Sequence, residues 1–250
     1  MKKTRFFSYL LLIKIYLISK LKNLNYFKKN KLQNYIDILK IDTVFDIGAN
    51  IGQFSLKLYA NGFSGRIISY EPMYKEYIIL KKVSGLFKNW INYNIGIGKK
   101  GEKKSTIYVS ENSVSSSILR VNQEHISAAP DSVQKKSIDI NIQDLREAIE
   151  FNSINYDISN IFLKIDVQGY EIPIIDNFDF SQYQIPLLLV EASFRKLYSE
   201  QESFEKLIEL IYKNNYIIVE ILDCFRGKGH LKPILQADIL CCHKAYINRI

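Results

Sequence analysis

Asp46, Gly48, Asn50 and Gly52 form a D-x-G-x-N-x-G run within residues 43–55. The apolar Val44, Phe45 and Ile47 around it read as a buried strand, and the glycines mark a turn into a helix. Gly48 and Gly52 admit backbone angles and close approaches that a β-carbon would block. Such a loop aims backbone N–H groups and a helix N-terminus at a ligand beyond the strand ends. A second apolar strand over residues 66–71 ends in Glu71, followed by Pro72. A carboxylate about 20 residues past a glycine turn is the expected partner for ribose hydroxyls. The alternative for Glu71 is a surface turn carboxylate.

The residue types narrow the ligand. A dinucleotide loop wants G-x-G-x-x-G, whose second glycine clears room for a pyrophosphate. Asn50 occupies that place here, and Asp46 comes first. An acid beside the loop repels a pyrophosphate but suits a ligand carrying an ammonium and a sulfonium. S-adenosylmethionine is such a ligand. Asp46, Gly48, Asn50, Gly52 and Glu71 are therefore the expected cofactor contacts.

Residues 160–171 carry a second constellation, N-I-F-L-K-I-D-V-Q-G-Y-E. Alternate strand side chains share a face, so Phe162, Lys164 and Asp166 point together. A lysine inside an apolar strand is costly to bury unpaired, so a carboxylate or a ligand is expected beside it. Residues 187–191 repeat the theme and end in Glu191. If the strands are parallel, Asp166 and Glu191 share the carboxyl edge of the sheet, where α/β sites form. Asp166 or Glu191 would then take an acceptor proton, with Lys164 holding one carboxylate ionised. A variant has the two acids sharing magnesium, which would acidify the acceptor. The plain alternative is a Lys164 ion pair that only braces the sheet. Glu171, opening the next helix, is grouped with the acceptor-binding residues.

A serine-rich stretch over residues 110–117 leads into a long polar connector reaching residue 134. Connectors of that length are commonly functional. One reading is a substrate lid in which Asn112, Ser115, Ser116 and His125 offer hydrogen bonds. The other is a solvated insertion, with His125 incidental.

Positioning these groups requires a sizeable α/β core, and 250 residues suffice for one. Hydrophobic content of 47% excludes a disordered chain. The net charge of +8 is local: residues 1–31 hold nine basic residues and no acid, leaving 25 basic against 26 acidic elsewhere. The body is thus no basic nucleic-acid platform. The apolar run at residues 6–18 is too short to span a bilayer, which takes about 20 residues. It suits a helix lying on an anionic membrane surface, or one docked on protein. Cys224, Cys241 and Cys242 show neither disulfide nor zinc spacing and read as reduced thiols in a cytoplasmic protein.

Helical patterns cover residues 32–39, 52–60, 74–87, 143–151 and 200–213. Further strands are expected at 90–97, 105–109, 137–142, 216–222 and 235–243. D-I-G-A-N-I-G-Q-F-S, E-P, F-L-K-I-D-V-Q-G-Y-E, L-L-V-E-A-S-F, L-Y and Gln236-Ala237-Asp238 follow in order and spacing. Over residues 40–243 this resembles the FkbM family of methyltransferases. The resemblance implies O-methylation of a hydroxyl by S-adenosylmethionine, often on a sugar or a polyketide. It implies an α/β fold of class I methyltransferase type: a Rossmann-like sheet of about seven strands, mostly parallel with an antiparallel last strand. The expected organisation is a basic helical arm over residues 1–39 and a methyltransferase domain over 40–250, with a small antiparallel insertion at 103–142.

The acceptor expected here is a sugar of a surface glycan, free or lipid-linked, with no nucleic-acid partner. The arm would hold the enzyme in the cytoplasm, against the inner face of the membrane. Three rivals exist. A non-catalytic membrane-associated scaffold is opposed by the intact cofactor constellation, a nicotinamide enzyme by Asn50 and Asp46, and an RNA methyltransferase by the neutral body.

Overall fold

The structure, a computed structural model, describes residues 31–228 and 233–250. The expectations for the arm, apart from its last residues, lie outside the described residues. Among the described residues, no helix is long and apolar enough to cross a membrane.

Strands β1 (Thr43–Ile47), β2 (Arg66–Tyr70) and β3 (Trp90–Tyr93) run parallel beside one another. On the other side of β1 lie β7 (Ile161–Ile165) and β8 (Leu187–Ser193), also parallel. β10 (Ile234–His243) inserts antiparallel between β8 and the edge strand β9 (Tyr216–Arg226). The seven-stranded order is β3-β2-β1-β7-β8-β10-β9. The expected sheet, with its antiparallel last strand, is therefore present.

The central strands are buried on both faces, so each reads as an unbroken apolar run. Phe45, Ile47, Leu163, Ile165, Leu188 and Val190 face one core layer. It is closed by α5 (Leu145–Asn155), α6 (Glu171–Ile175) and α7 (Phe204–Lys213). Val44, Ile67, Phe162, Leu187 and Leu189 face the other. That layer is closed by α1 (Lys31–Ile38), α2 (Gln53–Ala60) and α3 (Tyr74–Ser84). The period of two places Lys164 on the second face with Phe162, as expected.

Two helices start later than their apolar patterns suggest, because a side-chain cap fixes each start. Asp144 accepts a hydrogen bond from the Glu147 amide, so α5 begins at Leu145. Ser203 caps α7 in the same way.

The strand expected over residues 90–97 breaks in two. Asn94 turns its amide back onto the carbonyls of Glu71 and Pro72, at 3.0 and 2.9 Å. The chain then leaves the main sheet as β4 (Gly96–Gly98). β4 joins β5 (Lys104–Ser110) and β6 (Gln134–Asp144) in a three-stranded sheet of order β4-β6-β5. β5 and β6 are antiparallel as expected, but β4 runs parallel to β6, so this sheet is mixed.

Parallel pairing has one consequence for function. Gly48, Glu71, Asp166 and Glu191 all fall at the carboxyl edge of their strands, and β10 brings Asp238 there from the opposite direction, paired with Glu191.

Candidate active site

A cavity of about 500 Å³ opens at this edge. Gly48 is the reason the first strand can reach it. Its φ is +76°, and a β-carbon there would lie 1.8 Å from the Asp166 carbonyl oxygen. Only glycine lets the end of β1 pass so close to the end of β7. The turn is stapled by Glu71. One oxygen of this buried carboxylate accepts the Asn50 amide and the other accepts the Met73 amide, each at 2.8 Å. Burial pushes its pKa up to about 8. Each oxygen keeps a second lone pair, and the group lines the cavity.

Asp46 does not. It is fully buried, with Lys164 Nζ 3.0 Å from one oxygen and Ser55 Oγ donating to the other at 2.7 Å. Direct cofactor contact by Asp46 thus gives way to a bracing role. The cause is register: β1 pairs Asp46 with Lys164, and an ammonium in a dry interior needs a carboxylate. Burial works against the Lys164 charge, but Asp46 and Asp166 outweigh it and hold the ammonium above its usual range. Lys164 Nζ also donates to the Gly48 carbonyl at 3.2 Å, tying the glycine turn down. Gly48, Asn50 and Glu71 line the cavity, whereas Gly52 packs beneath it against Trp90.

Asp166 lines the cavity with its side chain about one-third exposed (34%). Lys164 stands 3.4 Å from one oxygen, and Gln168 donates to the other at 2.8 Å. The same Gln168 nitrogen lies 3.1 Å from both oxygens of Glu191. Its amide oxygen accepts from Tyr198 at 2.9 Å, which fixes the orientation of the amide. The place between Asp166 and Glu191, where a shared cation would sit, is therefore taken by an amide nitrogen. Among the described residues, no group of three or more acids, histidines or cysteines is arranged to hold a metal.

Glu191 and Glu171 belong to a separate narrow cleft, not to the cavity. Glu191 accepts from Gln168 and Gln236. Burial, then the charge of Asp166, raises its pKa well above the usual range. Glu171 accepts the Val167 and Gly169 amides on one oxygen, and burial pushes it up to about 7. The turn over residues 167–169 separates both acids from the cavity, so catalysis by Glu191 and acceptor binding by Glu171 are corrected.

The serine-rich stretch forms a wall. Ser113, Ser116 and Ser117 line the cavity, while Ser115 lies behind them. Ser117 Oγ donates to the Gln168 carbonyl at 2.6 Å, and the Tyr198 hydroxyl oxygen lies 3.2 Å from the Ser115 carbonyl. Asn50 reaches the Ser113 hydroxyl at 3.4 Å. The side chains expected to offer hydrogen bonds are engaged internally: Asn112 donates to Ser115 Oγ, and Ser116 Oγ accepts from the Ser110 amide. His125, on α4 (Gln123–Ala128), is buried away from the cavity, edge-on to Tyr198 at 5.1 Å, and burial pulls its pKa down to about 4.

Asp238, part of the Gln236-Ala237-Asp238 motif, carries no expected role in the reading of the sequence. It lines the cavity, and burial followed by Asp166 pushes it up to about 6. The available signal was an acid inside an apolar strand, the same one that singled out Lys164.

A family model described as "Methyltransferase FkbM domain" matches residues 46–218. The chain belongs to this family. No curated protein matches it. Among solved structures, it is similar to the Methanococcus jannaschii fibrillarin pre-rRNA processing protein: 12% identity, 86% of this chain and 75% of that one, TM-score 0.46. An Aeropyrum pernix fibrillarin with natively bound S-adenosyl-L-methionine shares 12% identity over 91% of this chain and 75% of that one, TM-score 0.43. A methyltransferase FkbM from Methylobacillus flagellatus shares 14% identity over 81% of this chain and 44% of that one, TM-score 0.42.

The FkbM-family match begins at Asp46 and takes in Glu71, Lys164 and Asp166, but stops short of Asp238. The charges facing the cavity at neutral pH are Asp166, Asp223 and Asp238 against Lys57 and Lys164, with Glu71 largely protonated beside them. Because buried Asp46 already balances Lys164, the cavity is an acidic environment.

Proposed function

We propose that this FkbM-family protein transfers a methyl group from S-adenosylmethionine to a hydroxyl of a sugar in a surface glycan. The acidic cavity under the glycine turn carries this reading. Its volume, about 500 Å³, lies in the range of small-molecule sites. Its charge suits a ligand with an ammonium and a sulfonium. Glu71 has lone pairs to spare for ribose hydroxyls, and Met73, Ile107, Ile140 and Ile142 form an apolar cluster fit for a purine. When bound, S-adenosylmethionine supplies a methyl group activated by its sulfonium.

The chain's own residues hold the acceptor. Asp166, fixed by Gln168 and Lys164, presents a carboxylate to an acceptor hydroxyl. Asp223 and Asp238 offer further hydroxyl acceptors, as a polyhydroxylated ligand requires. Leu32 lines the cavity, and the nine basic residues of positions 1–31 immediately precede it in the sequence. That supports an acceptor met at an anionic membrane surface, such as a lipid-linked glycan.

Calorimetry with S-adenosylmethionine and with NAD tests the cofactor. The expected result is one-to-one binding of the former and no heat with the latter. Transfer of labelled methyl to fractionated cell glycans tests the acceptor. No S-adenosylmethionine binding would overturn the enzyme reading in favour of a scaffold, and label appearing only in protein or RNA would overturn the glycan acceptor.

A further inference from the structure

The two acids singled out from sequence for the proton-transfer role are both committed. Glu191 lies outside the cavity. Asp166 faces it, but one oxygen accepts from Gln168 and the other pairs with Lys164. A general base is most effective when no donor already draws on its oxygens, and it must lie within reach of the proton it removes.

We infer that Asp238 takes the acceptor proton, because its carboxylate lines the cavity beside Asp166 and makes no hydrogen bond or ion pair among the described residues. This rests on the methyl-transfer reading above. β10 runs antiparallel between β8 and β9, so Asp238 enters the carboxyl edge from the side opposite Asp166. The charged groups around it are Asp166 and Lys164 on the β7 side, Glu191 on β8, Asp223 on β9 and Lys57 on α2. Burial and Asp166 raise its basicity, Lys164 moderates it, and the result of about 6 leaves it ionised at neutral pH yet more basic than an ordinary aspartate.

The step balances as a displacement. The acceptor O–H bond breaks and its proton goes to an Asp238 oxygen. The acceptor oxygen bonds to the methyl carbon, and the carbon–sulfur bond breaks with its electron pair left on sulfur. Asp238 then returns the proton to water, and nothing is oxidised or reduced.

The test compares Asp238→Asn, Asp238→Glu and Asp166→Asn with the parent. The expected result is S-adenosylmethionine affinity within about threefold of the parent for Asp238→Asn, with turnover lowered about a hundredfold or more on a glycan fraction that accepts label from the parent. Asp238→Glu should recover part of that loss, and Asp166→Asn should lose less than Asp238→Asn. A second readout needs no acceptor. In protein labelled with ¹³C at aspartate carboxyls, the signal missing from Asp238→Asn should titrate near 6. Parent-like turnover in Asp238→Asn, or titration in the ordinary carboxylate range, overturns the inference alone. Absence of cofactor binding in the parent overturns the methyl-transfer reading, and this inference with it.

Discussion

Asp46 and Lys164 sit opposite each other on adjacent parallel strands and meet at 3.0 Å, both buried. The pair sits under the glycine turn, where Lys164 also holds the Gly48 carbonyl. Its value lies in what happens when half of it is removed. Lys164→Met leaves Asp46 buried with Ser55 as its one remaining partner, and should cost about 3–5 kcal/mol in urea unfolding. Adding Asp46→Asn should recover most of that loss, because no buried charge is then left unpaired.

Gly48→Ala should be more damaging than an ordinary turn substitution. Its β-carbon would strike the Asp166 carbonyl, which is backbone and cannot swing away. The expected loss is about 3 kcal/mol or more, since a left-handed non-glycine conformation is combined with a forced separation of β1 from β7. Thermal unfolding and S-adenosylmethionine affinity should both fall. A variant with parent-like values would show that the two strand ends do not touch.

Tyr198→Phe should separate orientation from binding. The hydroxyl fixes Gln168, which fixes Asp166, and Tyr198 itself does not line the cavity. Its loss strips a buried donor at about 1–3 kcal/mol. Turnover should drop about tenfold with cofactor affinity unchanged, because Asp166 loses its set position. Equal losses in both would instead mean that the whole edge had collapsed.

Stability should fall as pH rises from 6.5 to 8. Burial holds Glu71 at about 8 and Glu171 at about 7, both above their ordinary values, whereas Asp238, at about 6, has largely released its proton before this range begins. The folded chain therefore keeps protons that the unfolded chain has already released, and each added pH unit favours unfolding. His125 acts in the opposite sense and only below 6.5, where the unfolded chain takes up a proton that buried His125 refuses until about 4. Melting temperatures across this range check the sign. Glu171→Gln keeps the oxygen that accepts the Val167 and Gly169 amides, so it should fold and flatten the slope.

Several features were legible before any fold was known. The D-x-G-x-N-x-G turn, the acid after the second strand and the lysine within an apolar strand depend on local chemistry alone. Apolar runs told which strands are buried, and alternation put Phe162, Lys164 and Asp166 on one face. What local pattern could not rank was which acids share a space. Glu191 and Asp238 are both single acids in apolar strands and are register partners, yet only Asp238 lines the cavity. The turn over residues 167–169 lies between Glu191 and the cavity, and nothing in the local sequence of either strand records that turn.

The sequence by itself determined the strand faces, the glycine turn and the need for a carboxylate near Lys164, because these follow from side-chain period, backbone freedom and the cost of burying a charge. Tertiary structure decided that the carboxylate is Asp46, that Gln168 stands where a cation was conceivable, and that the serine stretch walls the cavity. Those outcomes depend on register and on contacts between segments distant in sequence, from Gln168 with Glu191 to Asp46 with Lys164, and such distances are set only when the whole sheet assembles.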